Sequence, residues 1–192
     1  DFKDVLIRPK RSTLSSRADV DVTRSFRFVH TGREWTGFPL IASNMDTVGT
    51  FSVARAFAPF GAMVALHKHY PAERLIEFLR SDVADNVFYS IGTTTEDLDK
   101  LALVRAQVPV GKICIDVANG HSEQFLQVVQ RVRAENPDSA IMAGATVPGE
   151  MAEALSLAGA DLLVLRHPRS AALLREVFAD LGGGGAAERD AR

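Results

Sequence analysis

A rhythm of short apolar runs alternating with amphipathic segments constrains this 192-residue chain more than any single motif. Apolar runs predict strands at 38–45, 61–67, 87–93, 113–117, 139–145 and 161–165, roughly every 20 to 28 residues. The segments between them predict helices at 51–57, 72–80, 96–107, 121–133 and 150–157, with a further one at 171–181. The clearest helical face is Phe125, Val128, Val129 and Val132, spaced i, i+3, i+4, i+7. Strands that alternate with helices imply a parallel sheet, since parallel neighbours need a long crossover. Ahead of this series, residues 20–29 alternate apolar and polar, which suits an exposed hairpin turning at Thr31-Gly32-Arg33.

This spacing suits a (β/α)8 barrel or a doubly wound sheet. Two details select the barrel. Most predicted strands end in polar or glycine-bearing tips: Asn44 and Asp46, His67 and Lys68, Gly92 and Thr93, Asp116 and Asn119, Gly144. A ring of such tips is the active face of a barrel. No Gly-x-Gly-x-x-Gly turn follows any strand, so the dinucleotide fingerprint of a Rossmann sheet is missing. The expected fold is therefore α/β, a (β/α)8 TIM-barrel type with an N-terminal β-hairpin extension. About six βα units are present, short of eight, so the expected domain is a truncated barrel over 1–181. The glycine-rich stretch 182–192 has the composition of a flexible tail.

Composition bounds the function. The chain is 46% hydrophobic, enough for a substantial core, and its net charge of −2 gives no overall basic field. That argues against nucleic acid as a partner. A basic cluster, Arg8-Pro9-Lys10-Arg11 with Arg17, reads alone as a solvated loop. No apolar run reaches the roughly 18 residues that span a membrane. The start is not a signal peptide. A single cysteine, Cys114, excludes an internal disulfide and fits a reducing, cytoplasmic setting. Cys114 lies mid-strand between Ile113 and Ile115, where a thiol is inert packing rather than a nucleophile. Asp116, at the end of the same strand, is either a ligand-site carboxylate or a helix-capping turn residue.

Several stretches resemble GMP reductase, of the IMP dehydrogenase/GMP reductase family. They are Phe2-Lys3-Asp4-Val5-Leu6-Ile7-Arg8-Pro9-Lys10, Asn44-Met45-Asp46-Thr47-Val48-Gly49, His67-Lys68-His69-Tyr70, Cys114-Ile115-Asp116-Val117-Ala118-Asn119-Gly120 and Gly149-Glu150-Met151. The resemblance spans about residues 1–164. Predicted strand two passes straight to its helix, leaving no room for the insertion usual in the dehydrogenases. The resemblance implies a barrel enzyme, usually a homotetramer, that converts GMP and NADPH to IMP, ammonia and NADP. Its chemistry uses a thiolate that adds to purine C2, a proton relay for departing ammonia, and hydride from NADPH.

By the same resemblance, Lys68 helps the proton relay beside the nicotinamide; read without it, Lys68 is a surface lysine at a strand end. Ser16, Arg17, Lys68, Thr93, Asp116, Val117 and Ala118 match cofactor positions. An arginine such as Arg17 suits bidentate phosphate binding. Ser43 and Met45 match positions near the purine, with Met45 equally readable as core filler. The family nucleophile and its potassium ion belong to a glycine-rich loop after the sixth strand. Here Arg166-His167-Pro168-Arg169 follows instead, and Ala145 and His121 also depart from the pattern. The expectation is a chain with an altered C-terminal end that is inactive alone. The alternative is a non-catalytic remnant or subunit that binds NADPH weakly or assembles with a partner.

Overall fold

The structure is a computed structural model that describes residues 11, 13–147 and 149–165. The opening motif at 2–10, the helix expected at 171–181, the tail at 182–192 and the stretch from Arg166 lie outside the described residues. So do the side chains of Ala145, Gly149 and Glu150.

Two short strands, β1 (Arg24–Arg27) and β2 (Glu34–Gly37), form the antiparallel hairpin expected near the N-terminus. Its turn passes through Gly32, whose φ of 66° is left-handed. Six parallel strands follow: β3 (Ile41–Ala42), β4 (Met63–Leu66), β5 (Val87–Ile91), β6 (Lys112–Asp116), β7 (Ala140–Val147) and β8 (Leu162–Leu165). Between them run α1 (Phe51–Phe57), α2 (Ala72–Leu79), α3 (Thr95–Arg105), α4 (Glu123–Glu135) and α5 (Gly149–Leu157). Most bounds fall within two residues of those predicted. The exception is β3, expected over 38–45. Pro39 lacks a backbone N–H for the ladder, and only Ile41 and Ala42 pair with β4.

The strand order is strictly sequential, β3-β4-β5-β6-β7-β8. A doubly wound sheet reverses order at a switch point; this one does not. With right-handed crossovers, sequential order sets every helix on the same face. The core confirms that arrangement. On one face Val64, Leu66, Val87, Tyr89, Ile91, Ile113, Ile115 and Ile141 pack against Leu75, Leu101, Val104, Phe125, Val129 and Leu155 of the helices. On the other face Met63, Ala65, Phe88, Cys114 and Met142 form a smaller cluster with Trp35, Ile41 and Leu162, and no helical residue joins it. Strand residues therefore alternate between a helix layer and an inner layer, as in a barrel wall. The described strands make a curled arc of a (β/α)8-type barrel.

The hairpin supplies Trp35 to the inner layer, at the end where the strands begin. Its turn is pinned by His30, whose backbone N–H donates to Asp161 and whose ring lies 2.9 Å from the Ser156 carbonyl. No described helix is long and apolar enough to cross a membrane.

Candidate functional site

The carboxyl ends of adjacent parallel strands bring loops together at one end of the arc. Residues 43–50 follow β3, 67–71 follow β4, 92–94 follow β5, and 117–122 follow β6. Ser43, Met45, Lys68, Thr93, Asp116, Val117 and Ala118 all lie at that end. Met45 is 61% exposed, so it does not fill the core. Asp116 does not cap the following helix. That role falls to Ser122, whose hydroxyl accepts from the Phe125 N–H at 3.2 Å. Asp116 instead shares the inward-facing side of β6 with Cys114, half-buried at the strand's open end. Among the described residues, no hydrogen bond or ion pair ties its carboxylate.

Lys68 reaches the tip of the neighbouring strand. Its Nζ lies 3.6 Å from where a Cβ on Gly92 would sit, and the same Cβ would collide with Asp97 Oδ2. Gly92 thus leaves room for an ammonium and a carboxylate to approach the β5 tip. Asp97 is fixed by a capping box: the Thr94 hydroxyl donates to Asp97 Oδ2 at 2.8 Å and accepts the Asp97 N–H at 3.2 Å.

The loop that carries Lys68 is held at three points. The His67 N–H donates to the Gly49 carbonyl at 2.9 Å. Tyr70 stacks between His67 and Phe51, at centroid distances of 4.0 and 3.8 Å, and its hydroxyl accepts the Phe51 N–H. Lys100, on α3, donates to the carbonyls of Lys68 at 2.7 Å and Tyr70 at 3.2 Å. Burial lowers the pKa of Lys100, Asp97 opposes that shift and Lys68 adds to it. Burial likewise lowers the His67 pKa; Asp46 raises it, and His69 and Lys100 lower it. His69 and Asp46 form an exposed pair at 3.6 Å.

The inner face below this rim is closed to chemistry. Cys114 is 3% exposed, and burial pushes its thiol up to about 12 despite the nearby Ser90 hydroxyl. Ser16 and Arg17 are exposed and belong to a single 3-10 turn. The Ser16 side chain bonds within that turn, accepting from the Ala18 N–H. The geometry therefore gathers seven of the nine expected side chains at one rim and leaves these two in a separate segment. Among the described residues, no group of three or more His, Cys, Asp or Glu side chains could hold a metal ion. The stretch from Arg166, which stands where the family has its potassium loop, lies outside them.

A family model for the IMP dehydrogenase / GMP reductase domain matches residues 1–166. The chain belongs to the IMP dehydrogenase / GMP reductase family. It is 52% identical over 166 residues to the GMP reductase of Klebsiella pneumoniae subsp. pneumoniae, covering 84% of this chain and 48% of that protein. The GMP reductase of Edwardsiella ictaluri is equally similar, at 52% over 166 residues and the same coverage. The chain thus spans about half the length of the curated relatives it matches. Among solved structures, inosine 5′-monophosphate dehydrogenase from Legionella pneumophila superposes with a TM-score of 0.70 at 28% identity, over 84% of this chain and 49% of that one. Family membership and the barrel-type fold agree with the reading of the sequence.

Lys100 and Asp97 were not among the residues that the sequence singled out. One signal was present. Leu98, Leu101 and Val104 form the buried stripe of α3, and Lys100 sits beside it rather than opposite.

Proposed function

We propose that this chain supplies the nicotinamide side of a GMP reductase, which converts GMP and NADPH to IMP, ammonia and NADP. The observation that carries the reading is the Lys68 amino group beside the β5 tip, one strand from the carboxylate of Asp116, which no bond ties among the described residues. Two further facts support it. Both relatives above are named GMP reductase, and β4 runs to α2 through residues 67–71 with no inserted segment.

The donor set fits the neutral end of a dinucleotide. Asp116 can accept from a carboxamide or a ribose hydroxyl, Thr93 can donate or accept, and the exposed Ala118, next to the half-buried Val117, offers backbone groups. The fit does not extend to the phosphates through these tips, since no arginine stands between 43 and 50, 67 and 71, 92 and 95, or 117 and 122. Arg17, with Ser16, is the candidate to meet them from the N-terminal segment. When bound, NADPH supplies the hydride. Lys68 Nζ would hold the proton that the amino group on purine C2 takes up as it leaves as ammonia. Ser43 and Met45 line the purine edge. A homotetramer in the cytoplasm, over a barrel domain that ends near 181, is the assembly this reading carries.

The covalent step needs a thiolate, and the sole cysteine is buried with a raised pKa. The nucleophile, with any potassium ion beside it, therefore comes from outside these 192 residues. The isolated chain is expected to bind NADPH weakly and to show no GMP-dependent NADPH oxidation. NADPH fluorescence titration and an absorbance assay with GMP test both halves. Turnover that survives Cys114→Ala would overturn the assignment of a missing thiolate; turnover abolished by it would make Cys114 the nucleophile.

The second reading is a non-catalytic subunit that assembles with a partner. The observation favouring it is the inner face itself, where Val164 of the edge strand β8 is about half exposed. NADPH titration with no detectable binding would favour this reading.

A further inference from the structure

We infer that Lys100 is a positioning residue for Lys68, acting through the main chain of the β4 tip. The inference rests on the functional reading of Lys68 given above. Lys100 stands in the second turn of α3, half-buried beside the stripe of Leu101 and Val104. Its ammonium spans the carbonyls of Lys68 and Tyr70, at 2.7 and 3.2 Å. These two carbonyls bracket His69, so a single side chain fixes the peptide planes on both sides of the loop's tip. With its carbonyl held by α3, the Lys68 main chain is fixed while its amino group lies beside the β5 tip, 3.6 Å from where a Gly92 Cβ would sit.

The charge arrangement has the same direction. Asp97 lies one turn before Lys100 on α3 and is held by its capping box with Thr94. It stabilises the charged form of Lys100, while burial and Lys68 oppose it. A half-buried ammonium beside a second lysine is unfavourable unless strong acceptors face it. The two carbonyls are those acceptors, and the negative charge of Asp97 adds to them at longer range. An apolar side chain here would leave both carbonyls without their donor, and the loop would rotate its peptide planes to find water. Lys68 would then lose the main-chain anchor that sets its place beside the β5 tip. A lysine that only solvated a helix surface would point to water and touch no neighbouring loop; this one bridges α3 to the strand-end loop of a different βα unit.

The test uses the full chain with Lys100→Met, Lys100→Arg, Lys68→Met and the double variant Lys68→Met/Lys100→Met. In Lys100→Met the backbone order parameters of residues 67–70 are expected to fall from about 0.85 toward 0.6 or below, with the rest of the sheet unchanged. The ε-methylene NMR signal of Lys68 should move to the position of a free lysine. NADPH binding should weaken about tenfold, and the double variant should bind no worse than Lys68→Met alone. Lys100→Arg should restore the ordered loop and bind within about threefold of wild type, since it keeps the charge and the donors. Should the Met variant not fold, Lys100→Gln, which keeps a polar end but shortens the reach, carries the same measurements. An ordered loop with an unmoved Lys68 signal in the folded variant would overturn the inference, as would additive losses in the double variant. If wild type binds no NADPH, the functional reading fails; the loop order and the Lys68 signal then decide the positioning role alone.

Discussion

The two ends of the strand arc are built on different principles. At the end where strands begin, polar groups are buried and densely bonded, Asn136 Oδ1 being an exception. Asp161, its side chain fully buried, accepts from Arg133 Nη2 at 2.6 Å, the Ile141 N–H at 2.9 Å and the His30 N–H at 2.9 Å. Arg133 in turn donates to the carbonyls of Gly159, Asn136, Pro137 and Ser139. Lys112 is 7% exposed there and donates to the Asp85 carbonyl at 2.6 Å. At the end where strands finish, Lys68, Thr93 and Asp116 are only half-buried, and their side chains are largely left for something else to bind. The first end ties α4, β7, β8 and the hairpin together; the second holds its backbone still and leaves its side chains available. That division matches the rule for barrels, where the carboxyl ends carry chemistry and the amino ends carry stability.

The sharpest break of this comparison is Asp161→Ala. It leaves Arg133 without its carboxylate and two backbone N–H groups without an acceptor. Removing one partner of a buried pair costs about 3–5 kcal/mol. Urea unfolding should show a loss of that size, whereas a loss below about 1 kcal/mol would mean that the amino end is no tighter than the rim. Gly159→Ala attacks the same knot from another side. Its φ of 113° is strained for any side chain, and a Cβ would lie 2.5 Å from Arg133 Cγ.

Cys114 sharpens the comparison from the middle of the wall. With a thiol pushed up to about 12, the thiolate fraction at pH 8 is about one in ten thousand. A thiol reagent should leave the native chain unlabelled and react only after urea unfolding. Rapid native labelling would show that the inner face opens to solvent. The raised pKa also has a sign. The folded state holds the thiol proton more tightly than the unfolded state, with its ordinary value of 9.0. This contribution is fully present below 9.0 and is lost as pH rises from there toward 12. Cys114→Ala should cost about 1 kcal/mol, for a small void among Phe88, Met142 and Ala65.

Lys68→Met should reverse the pattern of Asp161→Ala. Its effect on unfolding free energy should lie within about 0.5 kcal/mol, as for surface substitutions that remove no packing. Its effect on NADPH binding should be about tenfold or more. A variant that unfolds easily yet binds normally would place Lys68 with the structural lysines, beside Lys112.

How much of this was legible in the sequence follows from the same contrast. The inner and outer faces of the strands were readable because apolar runs and helical periodicity are local signals. The rim was readable because polar or glycine-bearing tips recur at one end of most strands, and because the 44–49, 67–70 and 114–120 stretches carry family motifs. What was not legible depends on partners far apart in the chain. Nothing around residue 100 shows that its ammonium will meet carbonyls 30 and 32 positions earlier. Nothing near residue 161 shows that its carboxylate will hold a hairpin residue 131 positions away. The capping alternative for Asp116 stayed open for a related reason: Asn119 and Ser122 are also turn formers, and only the helix start at Glu123 decides among them.

The smallest effect tests how the rim itself is tuned. The imidazole of His67 stacks on Tyr70 and faces three charged or titratable groups, Asp46, His69 and Lys100. Burial holds its pKa below 6.5, and only Asp46 works against that. The unfolded chain therefore binds a proton at His67 more readily than the folded chain. Stability from this residue is complete above 6.5 and falls as pH drops through 6.5 toward the lower folded value. An NMR titration should place the His67 midpoint below 6.5, and Asp46→Asn should lower it further. A midpoint that rises on Asp46→Asn would show that His67 is governed by something other than burial and its three neighbours. Because His67 shares its stack with Tyr70, whose carbonyl Lys100 holds, the same titration in Lys100→Met asks whether the loop moves as a unit. Loss of the ammonium removes a lowering influence, and a loosened loop removes burial, so both changes shift His67 upward. The rim is one coupled element if that shift exceeds the effect of Asp46→Asn, and a set of independent side chains if it does not.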